Sequence, residues 1–294
     1  MRFATLRYLE GVTVIKTNLK VELLAYTPDA DKLCATAAKT CYSPNPILAG
    51  YSSMKDETAD RMINQVSASG HTSTLEHASF TFAIEGVSRS LLAQITRHRV
   101  ASFSVQSQRY VSMDDFEYIV PDAIAQDMNV MRLFEDEMAH DAEQYKKISR
   151  MLLNTYMAER YCDIFPLDRN DSFYALRLAT FARGAEFPVH RLEQYKKDVA
   201  AGEKYAIENA RAVLPNACAT RIVMTMNARE LLHFFSLRCC NRAQDEIRAL
   251  ADEMLKQCRS VAPSLFANAG PGCVRDACPE GKMSCHSPRK DLKV

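Results

Sequence analysis

Between Gly86 and Met113 the chain carries no Asp or Glu, yet it holds Arg89, Arg97, Arg99 and Arg109 together with His98. Around them lie Gln94, Ser102, Ser104, Gln106, Ser107 and Gln108, which donate hydrogen bonds without adding charge. A guanidinium is a fixed bidentate fork that matches phosphate, and Ser or Gln side chains read carbonyl and imide edges. The inventory is therefore that of a site for a phosphorylated polar heterocycle. A solvated basic face is the competing reading of an Arg-rich stretch. It is weakened here because Arg97-His98-Arg99 closely follows the apolar Leu91-Leu92-Ala93, which sets the arginines against a core.

This local charge is invisible in the totals. The 294 residues include 37 Lys+Arg and 36 Asp+Glu, for a formal net charge of +1, with 47% hydrophobic residues and only 9 Gly and 11 Pro. Such values exclude a disordered or collagen-like chain, and the balance argues against a protein that coats nucleic acid or an anionic membrane. No uncharged apolar run approaches the roughly 18 residues that span a bilayer, and Arg2, Arg7 and Glu10 interrupt the first residues, so a soluble, cytoplasmic protein is expected. Ten Cys fall below the density of a disulfide scaffold and read as reduced thiols.

The elements that must position these groups read as α+β. Val12–Thr17, Val21–Tyr26 and Ser79–Glu85 have strand patterning, whereas Met131–Met157, Asn227–Cys240 and Ala243–Val261 repeat apolar residues at helical spacing, giving strands early and helices late. Asn227 reads as the cap of its helix, with Glu230 three residues on in capping-box spacing. Glu143–Lys147 (EQYKK) recurs as Glu193–Lys197, and the stretch between the copies reads as a partial duplication or an insertion around 145–194. The expected organisation is a single catalytic domain over 1–260 and a Cys-containing tail over 261–294. Cys273, Cys278, Cys285 and His286 in that tail have zinc-ligand chemistry without the usual C-x2-C knuckles, so a packed or mobile tail without metal is the preferred reading.

Arg97-His98-Arg99, seven residues, then Ser107-Gln108-Arg109 resembles the R-H-R-x7-S-x-R signature of the flavin-dependent thymidylate synthases, the ThyX family. Three further blocks resemble the family in order: Gly70–His77 (GHTSTLEH), Asn209–Pro215 (NARAVLP) and Asn227-Ala228-Arg229 through Leu237-Arg238. The resemblance covers roughly residues 10–125 and 195–260. It implies a ThyX-like fold with a mixed or antiparallel sheet flanked by long helices, in homotetramers whose active sites combine subunits. It implies FAD contacts at Ser73, Arg97, His98, Arg99, Asn227 and Arg229, with His71, Glu76 and His233 as neighbouring candidates. It implies dUMP contacts at Gln94, Arg97, Gln106, Ser107, Gln108, Arg109, Arg211 and Arg238. The reaction implied is methylation of dUMP to dTMP, with methylenetetrahydrofolate as carbon donor and NADPH as reductant through FAD, and neither nucleic acid nor a membrane as partner. His233, Arg242, Val105 and Cys41 depart from the family pattern.

The chemistry suits these residues. C5 of uracil is a weak nucleophile until electron density reaches it from the N3 anion. Arg cannot act as the base, but Arg238 held against O4 and N3 favours the anion by charge pairing. Ser107 is the hydroxyl suspected as a nucleophile, yet no base stands at an obvious local spacing, so substrate binding is the preferred role. A thiolate at Cys239 or Cys240 beside Arg238 is a further alternative, with buried helix thiols the preferred reading. A non-catalytic nucleotide or RNA binder using the same arginines is the competing class, and predicts a colourless, salt-sensitive polyanion binder.

Overall fold

The computed structural model describes residues 15–293 except 167, 169, 170 and 185, so Val12–Val14 of the first expected strand lie outside the described residues. In chain order the elements are β1 Ile15–Lys16, β2 Lys20–Tyr26, α1 Ala30–Thr40, α2 Ile47–Ser52, α3 Asp56–Ser69, β3 Ser79–Ser88, α4 Arg89–Ile95 and β4 Ala101–Val105. There follow β5 Glu117–Tyr118, α5 Asp122–Ala125, α6 Met128–Tyr161, α7 Tyr174–Phe181, α8 Leu192–Ala210, β6 Ala219–Asn227, α9 Ala228–Arg238, α10 Asp245–Val261 and α11 Pro263–Phe266. The chain forms two compact units, one of residues 15–17 with Gln106–Cys218 and the other of Asn18–Val105 with Ala219 to the C-terminus.

The second, the sheet unit, is built on four strands in the order β2-β3-β6-β4, and every pairing is antiparallel. Period-two alternation sends Phe80, Phe82, Ile84, Ile222, Met224 and Met226 into the core, while Thr81, Val223 and Thr225 line the other face. The buried set packs against Phe234 and Phe235 of α9, Leu250 and Met254 of α10, and Phe266 of α11. At the outer strand β2, the Gln257 amide on α10 accepts from Leu23 N–H (2.8 Å) and donates to the Val21 carbonyl (3.0 Å). Beside β3, Gly86 has φ +65°, and a Cβ there would meet the Asn18 carbonyl oxygen at 1.9 Å, so only glycine fits.

The α+β reading therefore holds, with two revisions. The division into early strands and late helices fails, because β6 lies among the late helices and is paired on both sides, and because α1, α3 and α4 are early helices. The capping box also does not close. Asn227 Oδ1 does accept from Glu230 N–H (2.9 Å), but the Glu230 carboxylate turns away to His98.

The other, helical unit is dominated by α6 and α8. The repeated EQYKK segments lie on these two helices, and the tyrosine of each copy is buried. Tyr145 accepts from Met113 N–H (3.2 Å), whereas Tyr195 packs edge-on against Tyr161 and Phe187. Residues between the copies contribute an aromatic cluster of Tyr161, Phe165, Tyr174, Phe181 and Phe187.

After α11 the tail folds back onto the sheet unit. Arg259 of α10 donates to the carbonyls of Phe266, Ala267, Ala269 and Leu292. Arg289 pairs with Asp252 (2.9 Å) and Asp291 (2.7 Å) and donates to the Cys239 carbonyl (2.7 Å).

Candidate active site

In the sheet unit, β6 runs directly into α9, and Asn227 is both its last strand residue and the helix cap. The start of α4 is fixed comparably: Ser88 Oγ accepts from Leu91 N–H (3.0 Å), and Glu246 accepts from both the backbone and hydroxyl of Ser88 (2.6 Å each). The turn after α4 then delivers Arg97-His98-Arg99 with only His98 buried, at 5% exposure, and with both arginines outward.

His98 lies between two residues of α9. Its Nδ1 is 3.0 Å from Glu230 Oε1, and Arg238 Nε donates to its Nε2 at 3.1 Å. An arginine N–H is only a donor, so Nε2 holds the lone pair and the imidazole proton sits on Nδ1, donated to Glu230. Burial pushes the His98 pKa down, against the opposing pull of the Glu230 hydrogen bond and with Arg238 and His233 adding to the fall. Phe234 meets the ring edge-on at 5.0 Å. Arg238 also donates from Nη2 to the Gln94 carbonyl (3.3 Å), and burial followed by the Arg97 guanidinium lowers its pKa.

Arg229, at the start of α9, is ion-paired with Glu76 from the turn Thr72–His77. His71, Ser73, Glu76 and His233 are exposed near that end of the unit's chemistry-bearing segments, and a cavity of about 290 Å³ is lined by Thr72, Arg229, Leu232, His233 and Arg275 among others. Arg97 and Arg99 have no ion pair among the described residues. A surface offering guanidinium forks without matching carboxylates fits a diphosphate-bearing cofactor.

The remaining candidates lie in the helical unit. Ser107 Oγ accepts from Arg109 N–H (3.1 Å), Gln108 donates to Cys218 Sγ (3.7 Å), and Arg109 pairs with Glu208 (2.8 Å). Arg211 is exposed just after α8, and Gln106 opens the segment. The acid-free window is thus divided after Val105: Gln94, Arg97, His98 and Arg99 belong to the sheet unit with Arg238, and Gln106–Arg109 belong to the helical unit with Arg211.

Among the departures, Arg242 pairs with Glu280 of the tail, Cys41 is exposed, and Val105 ends β4. Cys239 is fully buried and its thiol is pushed up by burial, not lowered, which removes it as a ready thiolate. Cys240, Cys273, Cys278, Cys285 and His286 line a cavity of about 330 Å³, yet no group of three or more His, Cys, Asp or Glu among the described residues is arranged to hold a metal.

Comparison with known proteins supplies the family. Residues 22–264 match the model of the thymidylate synthase complementing protein family. A flavin-dependent thymidylate synthase of Clostridium tetani is 44% identical, over 94% of this chain and 97% of the relative. The chain belongs to the flavin-dependent thymidylate synthase family. A relative of the same description from Geobacter sulfurreducens is 39% identical over 91% of this chain and 94% of its own length. In fold, the family member resembles the crystal structure of a UMP/dUMP methylase from Streptomyces cacaoi bound with 5-Br dUMP, with a TM-score of 0.60 and 20% identity over 87% of this chain and 95% of that one. Membership makes the protein a methyltransferase and removes the non-catalytic binder as the main reading. No described helix is long and apolar enough to cross a membrane.

The residue that motif spacing missed is Glu230. Its position three residues after the cap had a complete local explanation, and the contact with His98 spans 132 residues of sequence.

Proposed function

We propose that this protein methylates dUMP to dTMP, taking the methylene of methylenetetrahydrofolate and the reducing hydride of NADPH through FAD, as a cytoplasmic homotetramer with sites shared between subunits. FAD when bound supplies the hydride relay. Arg97, His98, Arg99 and Arg229, with Asn227 and Ser73, would hold it, and His71, Glu76 and His233 would neighbour it. Gln94, Gln106, Ser107, Gln108, Arg109 and Arg211 would hold the nucleotide, with Arg97 serving both ligands. The 1–260 region would form the catalytic domain, with 145–194 an insertion and 261–294 an appended tail.

The observation that carries this reading is the state of Arg238. Two of its five N–H groups are spent on His98 and the Gln94 carbonyl, and no carboxylate pairs with it among the described residues. It therefore keeps its charge and three donors for a ligand. A uracil whose O4 and N3 met those donors would be stabilised as the N3 anion, which raises electron density at C5, the carbon to be methylated. Ser107 would bind substrate: no carboxylate or imidazole bonds its hydroxyl among the described residues, so nothing there activates it for attack.

Release of tritium from [5-³H]dUMP, with NADPH and methylenetetrahydrofolate supplied to the yellow, flavin-loaded protein, tests the proposal. A yellow protein that forms dTMP is the expected result. A colourless protein that releases no tritium after FAD is added would overturn it.

A further inference from the structure

Glu230 and Arg238 are eight residues apart on α9, about 12 Å of helix rise, and so cannot meet as neighbours on one helical face. The His98 imidazole closes that distance. It takes Arg238 Nε–H on one nitrogen at 3.1 Å and gives its own N–H to Glu230 on the other at 3.0 Å.

The alternative of a direct carboxylate on Arg238 would hold the guanidinium equally well. It would also neutralise the charge that a uracil anion needs, since an adjacent opposite charge is the strongest local determinant of a group's field. An interposed neutral imidazole transmits orientation and leaves the guanidinium charge unpaired. It does so only in one tautomer: with the proton on Nε2, two N–H groups would face each other and the contact with Arg238 would break.

We infer that Glu230 is a positioning residue, which fixes His98 as its Nδ1–H tautomer and through that ring sets the orientation of the Arg238 guanidinium. This rests on the reading of Arg238 as the group that stabilises the uracil anion. The carboxylate has no capping duty that would confuse the matter, because Asn227 satisfies the Glu230 N–H and the Glu230 side chain bonds His98. The titratable and charged groups facing the ring are Glu230, His233 and Arg238, all on α9, while Arg97 adjoins it in the chain and acts on Arg238. Protonating His98 would place a second N–H against Arg238 and a cation beside a cation, so the arrangement requires the neutral ring.

The test compares wild type with Glu230→Gln and Glu230→Ala. Histidine ¹⁵N spectra of the flavin-free protein, assigned with His98→Gln, report the tautomer, and kcat for tritium release is followed against pH. Wild type is expected to show the Nδ1–H form. Glu230→Gln, whose amide oxygen still accepts that proton, should retain kcat within about threefold by analogy with a neutral hydrogen bond replacing a charged one. Its acid limb should move to lower pH, because the carboxylate that favours His98 protonation is gone. Glu230→Ala should mix the tautomers and lose kcat at least about tenfold, at a smaller change in KM for dUMP, with flavin content and Tm close to wild type.

Wild-type kcat and an unmoved acid limb in both variants, beside an active wild type, would overturn the proposal. So would a wild-type His98 carrying its proton on Nε2. A wild type that releases no tritium overturns the assigned reaction and, with it, the catalytic purpose of the relay, an outcome distinct from a wrong tautomer.

Discussion

Arg238 cannot take a proton from uracil, so its contribution must lie in charge and orientation, and both depend on what it does not touch. Arg238→Ala is expected to reduce kcat for dTMP formation by about 10²–10³-fold, the scale of losing one preorganised donor at a developing anion. Bound flavin should persist through Arg99, Arg229, Asn227 and Ser73; unchanged turnover would refute the N3 assignment. Ser107→Ala should keep kcat within about tenfold while raising KM for dUMP, and loss of all turnover would restore a covalent serine. These residues were legible because Arg97-His98-Arg99 and Ser107-Gln108-Arg109 are local in sequence. Glu230 was not, because a carboxylate at the third position after a cap has a sufficient local explanation and its real partner lies 132 residues away. The burial of Cys239 agrees with the reading of helix thiols as packed side chains, which the helical spacing of Asn227–Cys240 made legible.

At the scale of elements, the junction of β6 with α9 ties the sheet to the site. The strand's last residue caps the helix, so any play in the cap reaches Arg229 within one turn and the relay through Glu230. Asn227→Ala should cost about 1 kcal/mol of stability, and Asn227→Ser should recover most of it, because a serine oxygen also accepts from the Glu230 N–H. Chemical denaturation measures both; equal losses would show that capping is not the source. The α9 cap, α6 and α10 were readable from period 3.6 and end signals. β6 was harder. Ile222, Met224 and Met226 alternate correctly against Arg221, Val223 and Thr225, but the strand becomes central only by pairing with β3 and β4, which lie more than 100 residues away. Propensity does not encode such partners.

For the molecule as a whole, side-chain clamps hold the tail: Arg259 on the carbonyls of Ala267, Ala269 and Leu292, Arg242 on Glu280, and Arg289 on Asp252. Arg289 is the strongest clamp: its side chain is 11% exposed, and it joins Asp252, Asp291 and the carbonyl that follows Arg238. Arg289→Ala should lower stability by about 2 kcal/mol, the scale of losing hydrogen bonds to a charged group, and limited proteolysis should then cut within 270–293 before the remainder. Resistance equal to wild type would show that Arg259 suffices. The sequence pattern marked where helical periodicity stops near Ser260, but not that the following residues return to the same helix pair, since single half-buried arginines leave no periodic trace.

The Gln257 contact on β2 bears on how any other chain could approach this edge of the sheet. An outermost strand offers unpaired amides and carbonyls, a template onto which a strand of another molecule can register. Here the side-chain amide of one glutamine presents an acceptor to Leu23 and a donor to Val21, as the peptide of an added strand would. Among the described residues the sheet therefore ends in its own helix at that point. Association through a continuous backbone ladder is blocked along that stretch, and contacts between molecules on this side are left to side chains, whose fit is specific where a ladder's is not.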